Sequence, residues 1–167
     1  KMLRSIETLS RSNVLPYLIQ MMHNKDVEVR RAVATALGGL KDNNAVGYLV
    51  ELLRDNDSQV RQLAAWGLGE SKDKRALHPL LEALMTGDAD LRGGAALALG
   101  ELKDREAVSP LIDTFSSDPE PMVRKRAVRA ISEIGDRSAL PYLVNRLEKE
   151  NEEPLKQTIS WAIKQLQ

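Results

Sequence analysis

The chain contains no cysteine. That excludes disulfides, thiolate catalysis, iron–sulfur clusters and Cys-based zinc sites within it. Aromatic residues are scarce, with one Phe, three Tyr and two Trp, so a core has to be assembled from Leu, Val, Ile and Ala. Neither sign of charge is in excess, because Lys plus Arg and Asp plus Glu both number 24. No global field therefore draws the chain to polyanions or acidic lipid. No apolar run approaches the roughly 18 residues of a membrane span, and no signal-peptide pattern opens the sequence. No membrane partner is expected, and the expected setting is cytoplasmic. There is no Gly-rich phosphate loop, nucleophile elbow or distinctive carboxylate pair. The two histidines, His23 and His78, lack metal-ligand spacing. The expectation is a chain without a reaction of its own, with no catalytic residue, no metal and no cofactor.

What is present is a repeat. Leu15, Val46, Leu77 and Val108 stand 31 residues apart, and Leu140 opens a fifth copy after one inserted residue. Each copy starts with apolar residues at i, i+3, i+4 and i+7, such as Val46, Leu49, Val50 and Leu53, or Leu77, Leu80, Leu81 and Leu84. That spacing places one apolar stripe on a helix and fits a strand poorly. Pro16, Pro79, Pro110 and Pro141 lie near the starts of these helices, where a missing N–H does least harm.

A second helix follows a loop ending in Asp26, Asp57 or Asp88, four residues before Arg30, Arg61 or Arg92. The Asp side chain suits an N-cap. In the fourth copy Glu120 takes that place before Pro121, and Asp118 is displaced by the extra residue. Val29, Val33, Leu37 and Leu40 form the expected core stripe of the first complete unit, and Val60, Ala64, Leu68 and Ser71 that of the next. The recurrence of Arg30, Arg61, Arg92 and Arg124 in every copy points to a structural bridge between adjoining loops, with Asp42, Asp73, Asp104 and Asp136 as the expected acceptors.

A unit that cannot bury its own apolar face must stack on its neighbours. The expected fold is all-α, a right-handed alpha solenoid of stacked antiparallel helix pairs. A single repeat domain over 1–167 is expected, with a partial repeat at 1–14, repeats at 15–45, 46–76, 77–107 and 108–139, and a capping repeat at 140–167. Met2, Leu3, Ile6 and Leu9 align with the back half of a second helix, so the chain reads as part of a longer array. Irregularities such as Met21-Met22 and the insertion near Pro119 argue against a consensus-designed repeat protein.

Asp88-Ala89-Asp90-Leu91-Arg92, Ala95-Ala96-Leu97-Ala98-Leu99-Gly100-Glu101 and Asp104-Arg105-Glu106-Ala107-Val108 resemble the short HEAT-like repeats of the phycobilisome lyase type. Asp26 to Gly38 and Asp57 to Gly69 follow the same pattern. Full-length HEAT units run to about 40–47 residues, and TPR and ankyrin units to about 34 and 33. Two positions depart from the pattern: Ser132 replaces the Gly of Gly38, Gly69 and Gly100, and Gly135 replaces the Lys of Lys41, Lys72 and Lys103. The resemblance implies an alpha solenoid whose second helices line the concave face. It leaves function open, because members include bilin lyase subunits, scaffolds and binders. Ala64-Ala65-Trp66-Gly67-Leu68-Gly69 is similar to a bilin lyase segment, which keeps a subunit handling a tetrapyrrole as the alternative. Deoxyhypusine hydroxylase is similar in repeat design but holds iron through His-Glu pairs, whereas His23 precedes Asn24 and His78 precedes Pro79 here.

At 100° per residue, one face of the second helices points away from the core. Its central column is Thr35, Trp66, Leu97, Arg129 and Trp161. Arg31, Gln62, Gly93 and Lys125 run beside it on one side, and Glu70, Glu101 and Glu133 on the other. These positions vary between copies while the core stays regular, as expected where packing does not choose the residue. Trp and Arg are enriched at interface hot spots. Trp66 and Trp161 either anchor a partner or lean between repeats and fill gaps. Gly93-Gly94 either forms a notch or is merely tolerated, at a cost of about 1 kcal/mol each relative to Ala. Arg124, Lys125, Arg126 and Arg129 form a basic cluster, but Glu101 and Glu133 nearby and the zero net charge disfavour nucleic acid. The expected function is a scaffold that binds a protein or peptide through this concave face.

Overall fold

The computed structural model describes residues 14–167. The expected partial repeat at the start of the chain falls almost wholly outside them. Helix α1 covers residues 14–21. After it come α2 (Val27–Leu40), α3 (Val46–Leu52), α4 (Ser58–Ser71), α5 (Leu77–Thr86), α6 (Ala89–Leu102), α7 (Val108–Ser117), α8 (Pro121–Ile134), α9 (Leu140–Lys149) and α10 (Glu153–Leu166). The described residues contain helices, turns and loops but no strand. The chain is an all-α solenoid of helix pairs.

Each element is set by local chemistry. Asp26, Asp57 and Asp88 cap α2, α4 and α6, accepting from the backbone N–H groups of Glu28, Val60 and Leu91. Glu120 stands at the start of α8 without a side-chain cap, and Pro121 sets the first turn. The second helices all run 14 residues. Four of them end on a left-handed residue, at Lys41 (φ 50°), Lys72 (φ 54°), Lys103 (φ 56°) and Gly135 (φ 77°). Glycine tolerates this conformation where a Cβ does not. The Gly135 departure therefore stands at a position where lysine carries backbone strain in the other repeats.

Leu49, Leu80, Leu111 and Leu143 from the first helices are fully buried, as are Ala64, Leu68, Ala95, Leu99, Ala127 and Ile131 from the second. The register read from the sequence holds at Val33, Leu37, Val60, Ala64 and Leu68. Val29, Leu40 and Ser71 are only half-buried at the stripe's ends.

The second helices approach one another at backbone distance. A Cβ added to Gly67 would stand 2.7 Å from the Cα of Gly38. One added to Gly69 would meet the Cα of Ala98 at 2.8 Å, and one on Gly100 the Cα of Ala130 at 2.8 Å. Small residues at these crossings let α2, α4, α6 and α8 pack in an unbroken series, while adjoining first helices barely touch. Helices that crowd on one side and splay on the other curve the array, with the crowded layer inside. The joint between α8 and α10, where Ser132 replaces glycine, is the least tightly packed of that series.

Arginines clamp the loops at one end of the array. Arg30 donates to Asp55 through Nε (2.8 Å) and Nη2 (3.1 Å), and to the Asn24 carbonyl through Nη1 (2.9 Å). Arg92 repeats this with Asp118 (2.7 and 3.0 Å) and the Gly87 carbonyl (3.0 Å). Arg61 binds the Asp55 and Asn56 carbonyls and pairs with Asp88. Arg124 binds the Asp118 and Pro119 carbonyls and pairs with Glu152. The bridging role read from the sequence holds, but its expected acceptors need correction. Asp42, Asp73, Asp104 and Asp136 cap the 3-10 turns before the first helices, accepting from Asn44, Arg75, Glu106 and Ser138. They lie beyond the far end of the second helix, about 18 Å from its arginine at 1.5 Å per residue. The clamps find carboxylates one loop further on.

Two predictions follow from these contacts. A Cβ at Gly135 meets nothing within 4 Å, so Gly135→Ala carries only backbone strain. It is expected to cost about 1 kcal/mol in urea unfolding, and an unchanged midpoint would show that the left-handed cap is unstrained. Asp57 is held at about 2, below its ordinary value, first by the Arg31 guanidinium and then by backbone N–H groups including that of Val60. The folded state thus favours its charged form. That contribution is complete above the ordinary carboxylate value and disappears as pH falls through about 2. Unfolding measured from pH 5 to pH 2 should show a shallower stability loss in Asp57→Asn than in the wild type, and parallel curves would refute the assignment.

Candidate functional site on the concave face

The outward columns of the second helices share one face of the close-packed layer. Thr35, Trp66, Leu97, Arg129 and Trp161 occupy successive helices at equivalent turns. Trp66 is 44% exposed and Trp161 43%. Thr35 and Arg129 are exposed, and Leu97 is half-buried. Thr35 donates its hydroxyl to the Arg31 carbonyl (2.9 Å) and so adds little free polarity.

Trp66 leans between repeats yet stays partly exposed. Its Cζ3 lies 2.8 Å from where a Cβ on Gly38 would stand. One edge of the indole is laid on the preceding helix while the rest of the ring remains open. Gly38 is what allows this contact. Trp161 borders an open groove of ≈ 410 Å³ between α8 and α10, together with Lys125, Arg129, Pro154, Gln157 and Thr158. An indole beside two cations suits an apolar or aromatic group carrying negative charge.

Several of the charged residues expected on this face are already engaged. Arg31 binds Asp57 on the next repeat (2.8 and 3.0 Å) and Glu28 (2.6 Å). Glu70 pairs with Lys41 (3.1 Å) and Glu101 with Lys72 (2.6 Å). The left-handed lysine of one repeat thus reaches the glutamate of the next. Lys72 holds the Glu101 carboxyl below its ordinary value. Glu133 behaves in the opposite way: burial, and then the nearby Glu101 charge, push its carboxyl up. Gln62 is half-buried. Gly93 is buried beneath the Arg126 side chain of α8, so the notch is filled from within the chain. Sequence reasoning placed Arg126 only in the basic cluster. The signal for its placement was the bare Gly93-Gly94 step facing it across one repeat.

Lys125, Arg126 and Arg129 take part in no ion pair among the described residues, whereas Arg124 is consumed by its clamp. No group of three or more His, Asp or Glu suited to a metal ion is found among the described residues, and no helix there is long and apolar enough to cross a membrane.

Known proteins fit this architecture. In a complex of CpcE and CpcF of phycocyanin lyase from Nostoc sp. PCC7120, one chain matches 89% of this chain at 25% identity with a TM-score of 0.73. The present chain spans 63% of that chain's length. YibA from Escherichia coli matches 93% of this chain, over 56% of its own, at 25% identity and a TM-score of 0.66. A designed armadillo repeat protein solved with a (KR)4 peptide shares the fold, with a TM-score of 0.67 and 21% identity over 98% of this chain and 86% of its own. No curated protein sequence matches the chain. The profile of HEAT repeats matches residues 15–98 and 78–164. With nearly its whole length so covered, the chain belongs to the HEAT repeat family.

Proposed function

We propose that the chain, as one repeat domain over 1–167, is a scaffold that binds a protein or peptide along its concave face. The observation that carries this reading is the column of Trp66 and Trp161, two exposed indoles with half-buried Leu97 between them, on helices whose opposite stripe is largely buried. Lys125 and Arg129 pair with acidic groups of the partner, while Glu133 disfavours acidic rivals at the other edge, where Glu70 and Glu101 are held by Lys41 and Lys72. Thr35, Gln62 and Arg31 extend the face toward the first complete repeat, and Gly93 marks its step. Close-packed helices and loop clamps make the surface preformed, so little ordering entropy is lost on binding. No reaction is assigned to the chain. The (KR)4 complex of the designed armadillo protein shows that such a fold can hold a peptide, and supports the reading by analogy alone.

A second reading is favoured by the likeness to the CpcE–CpcF complex. In it the chain is a lyase-type subunit that handles a tetrapyrrole. Mixing the chain with a free bilin and recording the visible spectrum separates the two readings. A shifted and intensified band supports the lyase reading, and an unchanged spectrum rejects it.

For the scaffold reading, a partner is captured from native lysate and its binding is then titrated against purified variants. Trp66→Ala is expected to weaken that partner by about 2 kcal/mol or more, about thirtyfold in Kd, with the helical circular dichroism retained. An unchanged Kd in Trp66→Ala would remove this face from consideration.

A further inference from the structure

The concave-face reading gives the partner acidic groups but neither their number nor their spacing, and the inference here rests on that reading. Arg30, Arg31, Arg61, Arg92 and Arg124 are all tied to carboxylates of the next repeat. Three cations of α8 depart from that rule. Lys125, Arg126 and Arg129 pair with no carboxylate among the described residues.

Arg126 also lies against the neighbouring helix. The position that a Cβ on Gly93 would occupy lies 2.6 Å from its Nη1 and 3.1 Å from its Cδ. The side chain lies flat across α6 in a space that exists only because Gly93 has no side chain. Equivalent places in other repeats carry Arg31, Gln62 and Lys125. Arg126 is half-buried and makes no hydrogen bond to a described residue, so its donors remain for an acceptor from outside. A guanidinium immobilised in advance loses less entropy on pairing than a free surface arginine.

One cationic seat therefore lies over the α6–α8 valley, at Arg126. A second lies in the α8–α10 groove, where Lys125 and Arg129 flank Trp161. Adjoining helices sit about 8–10 Å apart, which an extended peptide crosses in about three residues.

We propose that the partner is an extended acidic peptide segment. Two of its carboxylates, two or three positions apart, occupy the Arg126 seat and the Lys125–Arg129 seat, and an aromatic or large aliphatic residue lies on Trp161. Gly93 is the positioning residue that lays Arg126 in its seat. A nucleic acid fits the face less well, because a phosphate track would run into Glu101 and Glu133 and the chain carries no net charge.

The test pans a displayed library of random peptides, about twelve residues long, against the chain, and titrates the enriched peptides against variants of retained helical content. Acidic pairs at the stated spacing beside an aromatic or large aliphatic residue are expected. Arg126→Glu should weaken such peptides about tenfold or more. Gly93→Ala, which keeps every charge but displaces Arg126, should weaken them measurably. Lys74→Glu, exposed in the 3-10 turn before α5, should leave them unchanged. Enriched peptides that lose affinity in Trp66→Ala but are neutral or basic would overturn the acidic assignment and leave the concave-face reading standing. Acidic peptides indifferent to Arg126→Glu and Gly93→Ala would overturn the seat. Failure to enrich any peptide sensitive to Trp66→Ala would overturn the concave-face reading itself. Tighter binding of a labelled single-stranded oligonucleotide than of the best peptide would assign the cations to nucleic acid instead.

Discussion

The architecture depends on how closely the second helices approach. Where Gly38 meets Gly67, Gly69 meets Ala98 and Gly100 meets Ala130, backbone lies against backbone with no room for a larger side chain. That contact draws one layer of helices together while the other stays splayed, and the difference between the layers is the curvature. The concave face follows from it. Side chains brought within reach of one another on α4, α6, α8 and α10 would lie further apart on a flat array.

The loop clamps work on the same array from one edge. A single arginine anchors its own loop through a carbonyl and the next loop through a carboxylate, so adjoining units cannot twist independently. Such pairs are only partly shielded, and isolated surface ion pairs contribute little, but a guanidinium clamp recurs at each joint, bidentate at Arg30 and Arg92, and fixes geometry. The lysine–glutamate contacts from Lys41 to Glu70 and Lys72 to Glu101 do the same at the other end of the second helices. The arginines that align the repeats are thus engaged within the chain, whereas Lys125, Arg126 and Arg129 of α8 are in no ion pair among the described residues.

The fold was almost wholly legible in the sequence, because helix periodicity and the 31-residue spacing are properties of a single unit read five times. The outward columns were legible for the same reason: 100° per residue places Trp66 or Trp161 without knowledge of any neighbour. Contacts between units were not. Arg30 was expected to meet Asp42 and instead meets Asp55. Glu70, placed on the outward face, pairs with Lys41 of the preceding repeat. Gly93 was read as a notch or a tolerated residue, and Arg126 fills it. Each of these depends on the offset between stacked repeats, which tertiary packing sets and spacing along one chain does not encode. A partial guide was present in the recurrence of Lys41, Lys72 and Lys103 one unit before Glu70, Glu101 and Glu133.

Ser132 has a consequence for how the array responds to load. In a quasi-one-dimensional stack each joint has its own stability, and the weakest one opens first. The α8–α10 joint, where serine stands in for glycine, is packed more loosely than the other joints between second helices. The groove beside Trp161 spans the same joint, so a ligand seated there would bridge the seam and lower the population of frayed molecules by mass action.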